Sequence, residues 1–450
     1  MCGKKSPLLR SYWSIFRSGT RMARPMTWLK RYRWRGFIKS SLWLYPVVGL
    51  VVALLIAPAI RWLDWQTQWR WLNFNPEGAR AILGAFAASM LTFLVFVFSA
   101  MIIVVQLASA QLTPRIIGPA FSRREVKAVL GIFTFSYIYT LAALGRVEQT
   151  VPQLPVALAV VLNLLSIIVF VRFVYQIGVG LRPIAILETV GMDGRLVVEC
   201  VYPRLFNPAH ESKTSSGPRR PSPTRVIDHA GASGSVLAFS PADIVAIAQR
   251  ADAIIELVPQ VGDFIAKGDP FFRVLSEPRP VDDEALRQCV AIGPERTMEQ
   301  DPRFAFRIMV DIANKALSPA INDPTTAVLA LDQIHRLLLY VGHRDLDSGE
   351  DRDSHGKLRL VYGTPDWPDY VLLAVSEIRH YGKGSIQVAR RLRAMLEHLN
   401  RVLPEARRGP VQRELELLSK SVERDFSDNA DRAMAGLSDN QGVGGSAPPG

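Results

Sequence analysis

The sequence predicts a membrane α-helical protein: four transmembrane helices, then a C-terminal α+β cytoplasmic domain with a small β-barrel-sandwich-like unit and helices. Three observations predict this class. Four long apolar runs fall within the first 180 positions, the composition turns to that of a soluble domain beyond about Leu181, and the basic charge is concentrated ahead of the first run. A helix needs roughly 18–20 apolar residues to cross about 30 Å of hydrocarbon. Backbone amides in lipid must be bonded internally, so runs of that length are helices.

The chain has 450 residues, 49% apolar and 21% charged, a length that predicts about two to three domains. Residues 1–40 form a basic arm with Lys4, Lys5, Arg10, Arg17, Arg21, Arg24, Lys30, Arg31, Arg33, Arg35 and Lys39 and no acid. The net charge is +12, so the rest of the chain is close to neutral. That distribution excludes a nucleic-acid binder whose whole fold presents a basic surface. Cys2, Cys200 and Cys289 lie far apart, which indicates neither a disulfide framework nor a thiolate zinc site.

Within the transmembrane domain, 41–180, the runs are Ser41 to Ile60, Ala81 to Val105, Ala128 to Gly145, and Leu154 to Val171 continuing towards Ile177. The first loop is balanced and carries Trp62, Trp65, Trp69 and Trp71, an interfacial aromatic belt. The second carries Arg115, Arg123, Arg124 and Lys127 against Glu125, and the third, from Arg146 to Pro152, is neutral. Positive-inside counting puts the N-terminus, the second loop and the C-terminal half in the cytoplasm. The basic arm reads as a topology signal that also touches anionic lipid, with a mitochondrial transit peptide as the other reading.

Polar residues inside the spans are few. Asn163 and Ser166 sit in the fourth, Ser89, Thr92 and Ser99 in the second, and Thr134, Ser136 and Thr140 in the third. Such groups prefer a neighbouring helix or a wet cavity, so they read as helix–helix contacts or as the lining of a water or ion path. Gly84 and Ala88 are expected to let helices approach closely. After the second span, Gln106, Ser109, Gln111 and Thr113 continue the helix in polar form until Pro114 stops it ahead of Arg115. This is either the wall of a cytoplasmic vestibule or a wet helix end.

The soluble half opens with a linker, 207–225, rich in Ser, Pro and Arg and expected to be disordered. The β-rich unit, 226–280, alternates in strand fashion, with turns at Gly262-Asp263 and Gly268-Asp269. Its rhythm is similar to biotinyl and lipoyl carriers, but a carrier lysine at a hairpin tip is missing. Ser240 to Arg250 reads as a capped short helix. The helical domain, 281–430, is densest at Glu295 to Ala327. Phe304, Ile308, Ile312 and Ala316 form one apolar stripe, while Arg303, Arg307, Asp311 and Lys315 recur every four residues as a solvated, self-paired face. Asp323 reads as an N-cap and Pro324 as the first helical residue. Arg296, Asp301, Asn314 and Asn322 are then expected to converge where two helix ends meet. His343 to His355 reads as an acidic surface loop, since Glu350 and Gly356 stand where an EF-hand needs Gly and Glu. Ile386 to Leu403 reads as an amphipathic helix with Arg390, Arg391 and Arg393 on its wet face. The tail, 431–450, is expected to be disordered.

The phrases QLASAQLTPR (Gln106–Arg115), GPERT (Gly293–Thr297), Gln300-Asp301 and ALSPAINDPTTA (Ala316–Ala327), taken together, resemble the bacterial predicted membrane proteins called domain of unknown function 2254. The likeness covers roughly 37–402. The chain departs from the family pattern at Asn314-Lys315, where an arginine is usual, and at Ala320, where glycine is commoner. The resemblance implies a multi-pass protein of the bacterial inner membrane and supplies no activity.

Metalloprotease, nucleophile-elbow, Walker A and paired-cysteine patterns are missing, so the sequence predicts no enzyme and no cofactor. Two functions are expected. One is a channel-like or transport-related oligomer with a cytoplasmic regulatory domain. The other is a membrane-anchored sensor or scaffold that binds an anion or protein partner. Expected partners are the lipid bilayer and further copies of the chain, with no nucleic acid. The candidate ligand or gating residues are Gln106, Gln111, Arg115, Asn163, Arg296, Asp301, Arg307, Asp311, Asn314, Asn322 and Asp323.

Overall fold

A computed structural model describes residues 27–67, 73–116, 124–180, 182–208, 222–346 and 349–443. Most of the expected linker, most of the basic arm and the last residues of the tail lie outside this range. The chain divides into two compact units, Gly36–Ile186 and Leu187–Gly450, the latter grouped with Met1–Arg35.

The boundary at Gly36 falls within α1 (Trp28–Ser40), and the first unit then holds four long helices: α2 (Leu44–Thr67), α3 (Pro76–Gln111), α4 (Arg124–Leu144) and α5 (Gln153–Gly180). All four are long and apolar enough to cross a membrane. With 36 residues, α3 spans about 54 Å and so outruns the hydrocarbon. Its polar extension ends at Gln111, and Pro114–Ile116 form a 3-10 turn. Helix α4 is the least apolar and the most enclosed of the four, and it packs against each of the other three.

The closest approach is between α2 and α4. A Cβ added at Gly49 would stand 2.5 Å from the Gly131 carbonyl oxygen, and one at Gly131 would stand 3.3 Å from the Tyr45 oxygen. Ala53 and Ala57 continue the buried stripe on α2. Small residues here let two backbones meet, and dispersion then replaces the missing hydrophobic drive. Gly84 does not do this, since a Cβ added there would meet no atom within 4 Å. Ala88 faces outward as well. Further along, Phe93 of α3 stacks on Phe170 of α5, centroids 4.3 Å apart, beside buried Phe133.

Polar ties close the helix ends. Leu154 N–H donates to Asp64 Oδ1 at 2.9 Å, and the Gln153 amide exchanges bonds of 2.8 and 3.0 Å with the Phe74 backbone. Arg80 Nη2 donates to the Val147 carbonyl at 2.9 Å. Trp62 and Trp65 are exposed, as an interfacial belt requires, while Trp69 and Trp71 lie outside the described residues. Lys127 is buried, and its ammonium donates to the Lys39 carbonyl near the end of α1 while lying over the Tyr45 ring.

The second unit takes up the chain from α6 (Pro183–Val201). Its β elements are β1 (Arg225–Asp228), β2 (Gly234–Phe239), β3 (Ile254–Leu257), β4 (Phe264–Ile265), β5 (Pro270–Ser276), β6 (Val290–Gly293), β7 (Glu350–Arg352) and β8 (Leu358–Tyr362). They form an open five-stranded sheet, β1-β5-β3-β8-β7, and a three-stranded sheet, β4-β2-β6. Among the described residues the sheets close no barrel, so the barrel-sandwich detail of the expectation is not confirmed. Pairing is antiparallel except between β3 and β8. The unit expected to end at 280 therefore draws in strands from far down the chain. Part of the segment read as an acidic surface loop is β7. The Asp353 that follows it is buried and accepts from Arg359 Nε at 2.7 Å.

Helix α7 (Pro241–Ala251) carries the expected cap, with Asp243 N–H donating to Ser240 Oγ, and Gly262 and Gly268 both take φ of +94° at the hairpin turns. After α8 (Asp283–Arg287) come α9 (Pro302–Ala316), α10 (Pro324–Gly342), α11 (Trp367–Tyr381), α12 (Ile386–Val402), α13 (Glu405–Asp425) and α14 (Asn429–Ala435). Helix α12 has α10 on one side and α13 on the other. Its Arg390 and Arg391 are therefore only 1% and 6% exposed, not on a wet face. The tail is ordered through Val443: Asp439 N–H donates to the Arg390 carbonyl, and Gln387 Nε2 donates to the Gly442 carbonyl at 2.7 Å.

Candidate functional site

The eleven candidate residues do not share one site. Arg296 and Asp301 sit at the N-terminal end of α9, while Asn322 and Asp323 follow its C-terminal end, about 20 Å away along the 15-residue helix. The expected convergence at meeting helix ends is corrected accordingly.

At the first end, buried Asp301 is the N-cap residue but makes no capping bond, because its carboxylate accepts from Arg296 Nε. The Arg296 guanidinium lies over the Phe304 ring and against the backbone of Gly262, where an added Cβ would stand 2.5 Å from Cζ, Nε and Nη2. Arg303 Nη2 donates to Gln260 Oε1 at 3.1 Å. The Gln300 amide exchanges bonds of 2.9 and 3.0 Å with the Phe239 backbone, much as a further strand would. The run from Arg296 to Arg303 thus fastens α9 to the β3–β4 turn and to the end of β2.

Further along α9, Arg307 holds Asp311 through Nε at 2.6 Å and Glu377 of α11 through Nη1 and Nη2 at 2.6 and 2.7 Å. Asn314 Nδ2 donates to the same carboxylate at 2.8 Å. Those bonds hold the Arg307 guanidinium well above its ordinary pKa, with Glu377 the largest cause. The periodic charges expected to pair only with each other therefore bridge two helices. Asn322 takes a left-handed φ of 48°, and Asp323 caps α10 by accepting from Thr326 N–H at 3.0 Å. Both serve the turn between helices. Lys315 is exposed.

In the first unit, Gln106 faces outward on α3. Ala85, Thr92 and Ser99 precede it at seven-residue intervals, and all are exposed on the single chain. Thr92 Oγ1 donates to the Ala88 carbonyl at 2.9 Å. Arg115 lies in the 3-10 turn, where its N–H donates to Thr113 Oγ1. The Gln111 side chain lies outside the described residues. Asn163 sits elsewhere, on the buried seam of α4 and α5: its Nδ2 donates to Thr140 Oγ1 at 2.9 Å and to the Ala159 carbonyl at 2.8 Å.

A cluster that sequence reasoning missed joins α10 to α12. Asp332 accepts from Arg391 Nε at 2.7 Å, Arg391 Nη2 donates to His335 Nδ1 at 3.1 Å, and His335 faces His398. Burial first, then Arg391, His398 and Arg336, push His335 down to about 3. The signal was present in the spacing: Arg391 and His398 are seven apart, on the same stripe as buried Met395. Burial pushes the Cys289 thiol up to about 12, so it is a packing group. Among the described residues, no group of three or more His, Cys, Asp or Glu side chains is placed to hold a metal ion.

A family model described as predicted membrane protein (DUF2254) matches residues 39–398, from the start of the first span to the later turns of α12. The chain belongs to the DUF2254 family. This DUF2254 protein is 28% identical over 418 residues to an uncharacterised protein of Mycobacterium bovis and equally to one of Mycobacterium tuberculosis; each alignment covers 88% of this chain and 79% of the relative. No solved structure matches it. Family and geometry agree on a membrane protein with four apolar helices and a C-terminal domain of helices and small sheets.

Proposed function

We propose that this membrane protein works as a channel-like oligomer of the bacterial inner membrane, with both termini cytoplasmic and the C-terminal domain regulating a path between copies. One observation carries the reading: the outward face of α3 repeats Ala85, Thr92, Ser99 and Gln106 every seven residues, with Ala88, Val95 and Ile102 alongside, all exposed. A seven-residue repeat keeps one seam of a helix facing a partner helix. In lipid, small and hydroxyl-bearing seams favour helix–helix contact, and an amide favours a partner or water. The polar groups at the centre of the single bundle are enclosed by α4 and α5, so a conducting route runs along α3 and needs a second copy. The expectation of a tethered anion sensor draws less support, because Arg296 is already engaged by Asp301 and Gly262.

Ion flux through proteoliposomes, together with disulfide cross-linking of Ser99→Cys, tests the proposal. Flux and a cross-linked dimer are expected, with Ser99→Leu lowering flux several-fold. Monomers without flux would sink it.

A further inference from the structure

The seam between α4 and α5 holds four polar side chains, Ser136, Thr140, Asn163 and Ser166, each 0% exposed. Their hydrogens can be followed individually. Thr140 Oγ1 donates to the Ser136 carbonyl at 2.7 Å, and Ser166 Oγ donates to the Leu162 carbonyl at 2.8 Å. The two serine hydroxyls are 3.0 Å apart; with the Ser166 proton engaged, Ser136 is the donor. Asn163 Nδ2 uses both hydrogens, on Thr140 Oγ1 and on the Ala159 carbonyl. A backbone carbonyl only accepts, so the atom 2.8 Å from Ala159 is the amide nitrogen, and the amide orientation is fixed by chemistry.

Every donor in the cluster is therefore engaged, while Asn163 Oδ1 is buried without a hydrogen-bond partner. What remains is acceptor capacity alone. Such a point rejects anions and takes a species that presents hydrogen or positive charge. A bare cation at this depth would face no carboxylate: the acids of this unit, Asp64, Glu77, Glu125 and Glu148, stand at the ends of the helices. An uncompensated charge in the bilayer interior is expensive, whereas a water molecule donates without that penalty.

We propose that Asn163 Oδ1 is the anchor of a water-binding site within the membrane, selective for a neutral hydrogen-bond donor, on the seam of the third and fourth spans. The site is independent of the channel reading, since it is enclosed by the single bundle and lies off the outward face of α3.

Infrared spectroscopy of full-length protein in nanodiscs, carrying ¹³C-labelled asparagine side-chain carbonyls, tests the site. The difference between wild type and Asn163→Leu isolates this carbonyl. A band at the frequency of a hydrogen-bonded amide, unchanged between sodium, potassium and choline buffers, is the expected result. A band at the frequency of a free carbonyl overturns the proposal. A band that moves only with sodium or potassium overturns water as the occupant and makes the site a cation site. Water-edited solid-state NMR of the wild type reads the same question without a variant: transfer from water protons to the Asn163 side chain is expected, and none after long mixing refutes the site. Neither readout depends on flux, so its failure is distinct from failure of the channel reading.

Discussion

His335 donates its Nε2–H to Nδ1 of His398 across 2.9 Å, because Arg391 already occupies Nδ1 of His335 at 3.1 Å. One cation thereby sets the tautomer of both rings. Protonating either imidazole would place two N–H groups face to face beside a guanidinium.

Stability should follow pH accordingly. The folded His335 is held down to about 3, whereas an unfolded histidine titrates near 6.5. Between those values the unfolded chain binds more protons, so stability is full above about pH 6.5 and declines as pH falls. The slope is at most about 1.4 kcal/mol per pH unit. Gln accepts and donates at similar positions without titrating, so His335→Gln should flatten the decline. Thermal unfolding of the detergent-solubilised protein between pH 7.5 and 5 checks this; equal slopes in both proteins would contradict it.

Gly262→Ala should be among the most damaging small substitutions in the second unit. The position has φ of +94°, and the new methyl would fall 2.5 Å from the Arg296 guanidinium. Strain at such a backbone is about 1–3 kcal/mol, and displacing Arg296 from buried Asp301 adds to it. In Arg296→Ala the steric part of the effect should shrink, which a double-mutant cycle on thermal stability reads directly.

Two glycines of the membrane unit should behave oppositely. Gly49→Ala forces apart two backbones, at a cost of about 1–3 kcal/mol. Gly84→Ala meets nothing within 4 Å and should be neutral or gain about 0.5–1 kcal/mol from helix propensity. Unfolding midpoints in detergent would separate them, and equal losses at both positions would refute the assigned packing.

Glu377→Ala leaves Arg307 and Asn314 without their shared acceptor and should cost about 1–3 kcal/mol. Arg307→Lys should not be tolerated as a conservative change, because an ammonium cannot span both carboxylate oxygens. Hydrogen exchange should report loosening of α9 against α11 in both variants.

Much of this architecture was legible from residue order. The four spans, the Ser240 and Asp323 caps and the turns at Gly262 and Gly268 follow from local chemistry: apolar length, a short side chain that satisfies an N–H, a glycine where φ is positive. What was illegible depends on partners remote in sequence. Arg390 and Arg391 read as wet until α10, α13 and the 439–442 segment cover them. Strand β7 carries charges that read as a loop because the sheet it joins reaches through β8 to β3, about a hundred positions away. Gly84 and Gly49 are indistinguishable by composition, and only the position of Gly131 tells them apart.

The helix with the weakest claim to a place in lipid is the one that all its companions touch. During synthesis α4 emerges after α2 and α3, and the small-residue stripe of Gly49, Ala53 and Ala57 on α2 is the surface it packs against. Its integration should then depend on that stripe as well as on its own apolarity. Damage to the stripe should be felt downstream, as molecules whose later segments thread the bilayer with inverted orientation.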